Sequence, residues 1–214
     1  MLGIICFLIT LIILIAGLWP FNFNPINNVE RVQNGSGIRF YGQGIAFTPN
    51  PLLIQHAISR NAAVTIEFLV RPQKESINTV ASILTLYHDD RDQFIFGQWK
   101  KELIIRIPAA TSDLHKRYRE IGVENVLAKD TTHLIAVTSS QQITDIYIDG
   151  NLLKSVRHFS LIPDDQRLGG RLVLGNSPEG INPWNGTLFG LVIYAGMLER
   201  EELHDHYTSW QQGG

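Results

Sequence analysis

From residue 37 onward the chain alternates. In VTIEFLV, Val64, Ile66, Phe68 and Val70 are apolar at every second position, with Thr65 and Glu67 between them. That is the pattern of a strand with one face on a core and one toward solvent. Comparable runs recur in GIRFYGQGIAF, SILTLY, DQFIFGQW, ELIIRI, THLIAVTSS, TDIYID, NLLKSV, RLVLG and TLFGLVIYA, with turn residues between them. About ten such strands predict an all-β fold of two antiparallel sheets packed face to face. In TDIYIDGNLLKS the alternation breaks at Asp149-Gly150-Asn151 and then resumes. An Asp-Gly or Gly-Asn pair accepts the positive φ of a tight hairpin, which puts Ile146 and Ile148 on one face and Tyr147 on the other.

The N-terminus follows another pattern. LGIICFLITLIILIAGL, from Leu2 to Leu18, holds one Thr and no charge, and the first charged side chain is Glu30. A helix of seventeen to nineteen residues reaches about 27 Å, close to the ~30 Å of bilayer hydrocarbon. Trp19, Phe21 and Phe23 suit a membrane interface, and Pro20 stops the helix. Residues 1–19 are therefore expected to form a single-pass transmembrane anchor. A cleaved secretory signal competes with that reading, although no Lys or Arg precedes the apolar run and only Ala16-Gly17 offers small residues. Residues 20–36, rich in Asn, Gly and Pro, read as a linker, and residues 37–210 as the sandwich domain. The nearest basic residue, Arg31, taken alone, would keep the sandwich in the cytoplasm. Short helices are also expected at PLLIQHAISR, near LHKRYREI, and at MLEREELHDHY, where Leu203 and Tyr207 share a face over one or two turns.

Composition narrows the classes. The 214 residues carry a hydrophobic fraction of 44%, enough for one sizeable core. Eighteen Lys and Arg against twenty Asp and Glu give a net charge of −2, which offers no broad basic surface for nucleic acid. The single cysteine, Cys6, excludes a disulfide framework and a Cys-rich metal centre. There is no Gly-x-Ser-x-Gly elbow and no phosphate-cradling Gly-Lys-Ser/Thr loop.

Candidate chemistry concentrates in HDDRD, His88 to Asp92, between two expected strands. Ca²⁺ takes six to eight oxygen ligands, and Asp89, Asp90 and Asp92 supply three carboxylates, with Arg91 lowering the negative charge. Tyr87 and His88 beside them, Trp99 near a strand end, and Asn176 complete the set of candidate ligand contacts. If these side chains converge in one cleft, a binding site gains weight. Trp184 reads as core, His133 as structural, and His204 and His206 point apart because they are two residues apart on a helix. Asn34-Gly35-Ser36 and Asn185-Gly186-Thr187 are glycan acceptors only in a eukaryotic secretory route.

HLIAVTSSQQITDIYIDGNLLKS resembles the central hairpin of LamG-like domains of the concanavalin A-like lectin/glucanase superfamily. The stretch RLVLGNSPEGINPWNGTLFGLVIYAGMLEREELHDHY is similar to the end of such domains, and Val64 to Val70 to an early strand. The likeness covers Gly37 to Tyr207. One departure is Thr132, where the family often has Trp before the histidine. The resemblance implies a jelly-roll sandwich, and it directs attention to glycoside hydrolysis, which needs two carboxyl groups about 5 to 9.5 Å apart. The Glu-x-Asp-x-x-Glu pattern of the family's retaining enzymes is absent, and Glu67 stands alone on its strand face. LWPFNFNPINNV followed by GSGIRFYGQG is similar to the junction in bacterial proteins that join VanZ-like membrane segments to a LamG-like domain, which implies an extracytoplasmic sandwich. The expectation is a membrane-anchored, non-catalytic binding module for a polysaccharide or a surface protein. The alternatives are a divergent glycoside hydrolase using Asp90 or Asp92 with Glu67, and a structural domain split from a VanZ-like protein.

Overall fold

The computed structural model describes residues 2–18, 27–32, 36–52, 62–109, 117–163 and 168–213. Among the described residues thirteen strands form two sheets. They are β1 (Val29–Arg31), β2 (Ile38–Phe40), β3 (Ala46–Phe47), β4 (Ala63–Pro72), β5 (Ser76–His88), β6 (Arg91–Lys100) and β7 (Glu102–Pro108) in the first part of the chain. The second part supplies β8 (Tyr118–Val123), β9 (His133–Ser140), β10 (Ile143–Ile148), β11 (Asn151–Arg157), β12 (Arg171–Leu174) and β13 (Gly186–Tyr194). The seven-stranded sheet runs β1-β2-β13-β4-β9-β10-β11 and the six-stranded sheet β3-β12-β5-β6-β7-β8. All pairings are antiparallel.

The alternation places the core as expected. Val64, Ile66, Phe68 and Val70 of β4, Ile135 and Val137 of β9, and Ile146 of β10 meet Leu84, Leu86, Phe94, Phe96 and Ile105 of the other sheet. Phe96 packs edge-on against Phe68 at 5.3 Å and against Phe94 at 5.4 Å, the geometry that ring quadrupoles favour. Asp149 and Gly150 turn β10 into β11 with φ of 53° and 73°, as the Asp-Gly signal requires. His133 Nδ1 lies 2.7 Å from Asp149 Oδ2, and Asp149 Oδ1 accepts the Leu134 amide at 3.0 Å, so both residues hold this hairpin to β9.

Several expectations need correction. Residues 29–31, within the segment read as linker, pair with β2 as an edge strand. The charged stretch at LHKRYREI gives β8 over its described part, because Tyr118 to Val123 complete the edge beside β7. The closing helix, α2 (Arg200–Gly213), is 14 residues long, roughly four turns, twice the expected length or more. The segment expected to be helical at PLLIQHAISR lies, apart from Pro51 and Leu52, outside the described residues.

The N-terminal run forms α1 (Leu2–Leu18), an uninterrupted apolar helix of 17 residues. It rises about 26 Å, less than the ~30 Å of a bilayer core. Among the described residues no helix is long and apolar enough to cross a membrane, so the expected spanning anchor is not shown. Residues 19–26, including the aromatic residues read as interfacial, lie outside the described residues. Ile4, Phe7, Ile12 and Ile13 on α1 are all exposed.

Candidate functional site

HDDRD folds into a hairpin turn. Asp89 and Asp90 take φ of 47° and 58° between the cross-strand partners His88 and Arg91, the left-handed conformation that Asp tolerates in tight hairpins. The three carboxylates then diverge. Asp89, with its side chain 87% exposed, faces His88 at 3.3 Å. Asp90 Oδ1 accepts the Tyr87 hydroxyl at 2.8 Å, and Asp92 Oδ2 accepts the Tyr118 hydroxyl at 2.6 Å. Among the described residues no group of three or more His, Cys, Asp or Glu side chains is gathered to hold a metal. Ca²⁺ needs several oxygens on one centre, so Asp89, Asp90 and Asp92 do not fit it.

The other sequence candidates scatter. Asn176 is buried, and its Oδ1 accepts the Ser177 and Asn182 amides, closing its own loop. Trp99 lies seven residues along β6 from Asp92, roughly 23 Å away, with Lys100 Nζ 4.7 Å from its ring centre. Trp184 is fully buried and donates Nε1–H to Gln98 Oε1 at 2.8 Å, the core role read from sequence. What remains together at the hairpin is two tyrosine–aspartate pairs. Burial and then the Asp92 carboxylate push the Tyr118 phenol well above its ordinary value, with Glu179 adding to the effect.

This pair gives a prediction with a definite sign. Because the folded state holds the Tyr118 proton more tightly than the unfolded chain, its contribution to stability is complete below the unfolded value of about 10. It is lost as pH rises toward the raised folded value. Denaturant midpoints measured through the alkaline range are expected to fall more steeply for the wild type than for Tyr118→Phe, and equal slopes would contradict the assignment.

A second place was not legible as a site. On the outer face of the seven-stranded sheet, α2 leaves a groove of about 760 Å³. Glu67, Leu69 and Leu134 lie on its sheet side, Phe189 and Tyr194 along β13, and His206 and Trp210 on α2. The helix is seated by Leu203, which packs on Ala136 and Tyr147, and by Thr65, whose Oγ1 accepts the Leu198 amide at 3.0 Å. Small residues at Thr65, Ala136 and Thr138 let the helix approach, since Glu67↔Ala136 and Thr65↔Thr138 are cross-strand partners. His206 Nδ1 then reaches Glu67, 3.1 and 3.0 Å from its two carboxylate oxygens. The Tyr194 ring stacks on His206 at 5.8 Å, and burial followed by the Glu67 charge raises its phenol above the ordinary value. His204 points away from this pair, toward Gly150, as the two-residue spacing requires.

Glu67 is 5% exposed and is the one carboxylate among the described residues lining the groove. It faces away from the core, whereas Asp90 and Asp92 belong to the other sheet, about 10 Å beyond in a stacked pair. The glycosidase pairing of Glu67 with Asp90 or Asp92 is therefore not assembled, since both groups must flank one bond. The signal for the groove was Glu67 itself, a lone acid on a strand face, together with His206 on the closing helix.

A profile of laminin-G-type domains, described as concanavalin A-like lectin/glucanases superfamily, matches residues 42–204. The chain belongs to that superfamily. None of the curated proteins compared matches its sequence. Among solved structures, this lectin/glucanase-type domain is similar to the receptor-binding domain of botulinum neurotoxin C/D mosaic serotype, with a TM-score of 0.61 and 13% identity over 86% of this chain and 45% of that one. The binding domain of botulinum neurotoxin DC, in complex with rat synaptotagmin II, aligns with a TM-score of 0.63 and 14% identity over 86% of this chain and 45% of that one. Trypanosoma rangeli sialidase in complex with sialic acid aligns with a TM-score of 0.66 and 16% identity over 88% of this chain and 30% of that one. The domain spans less than half the length of these proteins, and at such identity the likeness is one of fold.

Proposed function

We propose that this protein is a non-catalytic binding module for carbohydrate, held at a membrane by α1, with the groove beneath α2 as its ligand site. The observation that carries the reading is the composition of that groove, where Phe189, Tyr194 and Trp210 share the lining with one buried carboxylate already paired with an imidazole. Aromatic rings offer flat apolar surface to the C–H face of a pyranose, and a fixed carboxylate accepts hydroxyl hydrogen bonds. One carboxylate orients a sugar but does not make up the carboxylate pair of the two-carboxylate glycosidase mechanism. Solved relatives that bind sialic acid or synaptotagmin support recognition as the use of this fold. The exposed apolar side chains of α1 support membrane attachment, since such a surface is rarely left in water. The similarity of the segment after α1 to VanZ–LamG junctions supports a sandwich on the extracytoplasmic side.

A glycan array probed with the full chain in detergent tests this reading. A retained glycan is expected to bind at least tenfold more weakly to Trp210→Ala, which removes about 1.4 kcal/mol or more of contact. Silence across the array, or a glycan whose affinity Trp210→Ala leaves unchanged, would count against the groove.

A further inference from the structure

The chain enters the sandwich at one end. Val29 opens β1 at the level of Phe40, Gly186 and Pro72. Just before it, Asn27 Oδ1 accepts the Ile45 amide at 2.9 Å, and the Asn28 carbonyl accepts the Tyr41 amide at 3.0 Å. Asn185 Oδ1 accepts the amide of Gly42, and its carbonyl accepts that of Gln73. Asn27 is thereby fixed at the same end as the β4–β5 connection and the β6–β7 turn. Gln98 joins these parts, donating Nε2–H to the carbonyls of Lys74 at 3.3 Å and Lys100 at 2.7 Å. Residues 19–26 separate Leu18 from Asn27, and nine peptide steps extend at most about 30 Å. The opposite end, with the Asp89–Asp90 turn, lies a further strand length away, roughly 33 Å for the 10 residues of β4.

At this inlet end the six-stranded sheet exposes apolar side chains. Between the pairs Ser76↔Lys100 and Ala81↔Gln98 the register shifts, and residues 77–80 of β5 bulge opposite Trp99 alone. Ile77 in this bulge is 66% exposed and Trp99 39% exposed. Neither is held by the core, and Lys100 lies over the Trp99 ring. Four of the six lysines in the sequence, Lys74, Lys100, Lys101 and Lys129, fall in the segments of this end. Glu75 pairs with Lys101 at 3.9 Å and Asp130 with Lys129 at 3.8 Å, which leaves Lys74 and Lys100 among the described residues without an acidic partner. A tryptophan with an aliphatic neighbour and free lysines around it matches the bilayer interface, where the ring sits at headgroup depth and ammonium groups meet anionic lipid.

We propose that the inlet end of the sandwich is a second membrane contact, with Ile77 and Trp99 entering the headgroup region of an anionic bilayer and Lys74 and Lys100 facing its phosphates. This rests on membrane attachment through α1, whose short link to Asn27 brings this end, and not the hairpin end, to the lipid. The domain then lies docked on the membrane rather than swinging free of it.

The test uses the full chain in vesicles of phosphatidylcholine and phosphatidylglycerol, with an environment-sensitive fluorophore on one cysteine at a time. The sites are native Cys6, Ile77→Cys in a Cys6→Ser background, and Asp89→Cys in that background. All three positions are exposed, so labelling leaves the core intact. The expected result is a blue shift, with quenching by brominated lipid, at positions 6 and 77 and no change at 89. A shift at position 6 with residue 77 behaving like residue 89 overturns the docking while leaving the attachment through α1 standing. No shift at position 6 overturns both, and a shift at all three positions overturns the defined orientation.

Discussion

Replacing Trp184 with alanine is expected to unfold the sandwich or bring it to the edge of unfolding. Trp184 is among the largest fully buried side chains, packs against Phe40 at a centroid distance of 6.2 Å, and lies directly over Gly186, where a Cβ would overlap its ring. Removing such a side chain from a core costs about 3–5 kcal/mol. The change also strips Gln98 Oε1 of its donor inside a fully buried side chain, which adds about 1–3 kcal/mol. The sum approaches the whole margin of ~5–15 kcal/mol by which domains are stable. Gln98 further bonds the carbonyls of Lys74, Lys100 and Leu127, so the damage reaches three connections at the inlet end. Denaturant midpoints followed by far-ultraviolet circular dichroism are expected to fall far for Trp184→Ala and by about 1–2 kcal/mol for Trp184→Phe, which removes the N–H but retains a ring. An alanine variant within 1 kcal/mol of wild type would refute this account of the core.

Gly175→Ala is the second change with a large expected effect. Gly175 follows β12 with φ of 77°, donates its amide to the Ile83 carbonyl at 2.9 Å, and accepts the Trp184 amide at 2.9 Å. It cannot relax without breaking these bonds. A Cβ there would run into the Phe40 ring, which is itself completely buried. The left-handed backbone costs an alanine about 1–2 kcal/mol, and overpacking adds about 1–3 kcal/mol. Gly190→Ala is the matched control: this glycine sits in the bulge of β13, its Cβ would meet nothing within 4 Å, and its φ is not positive. Its stability is expected to stay within about 0.5 kcal/mol of wild type. If the two variants unfold at the same denaturant concentration, the steric reading of Gly175 fails.

Much of the sandwich was legible because a period of two is a direct projection of a two-faced sheet onto sequence. Strands β4, β6, β7, β9, β10, β12 and β13 all carry it, and the Asp-Gly signal located the β10–β11 hairpin. The edge strands were harder. β1 and β8 bury little, so hydrophobicity leaves no trace of pairing there, and an Asn-rich or charged segment reads as linker or helix. HDDRD misled for a related reason. A run of acids in sequence resembles a ligand cluster, but alternate strand positions and left-handed turn residues send its carboxylates to three different partners.

The amino-acid sequence alone determined the class of fold, the position of the core, the apolar character of α1 and the structural roles of Trp184 and His133. Each of these follows from local periodicity, side-chain size or turn chemistry, which neighbouring residues express without help from distant ones. Only the tertiary structure decided that His206 meets Glu67 across 139 residues of chain, that this pair lines an aromatic groove, and that Trp99 shares an end of the sandwich with the incoming N-terminal segment. Those pairings depend on how α2 crosses a sheet and how strands order within it. Many helix orientations and strand orders satisfy the same alternation, and the choice among them is made by packing between residues far apart in sequence.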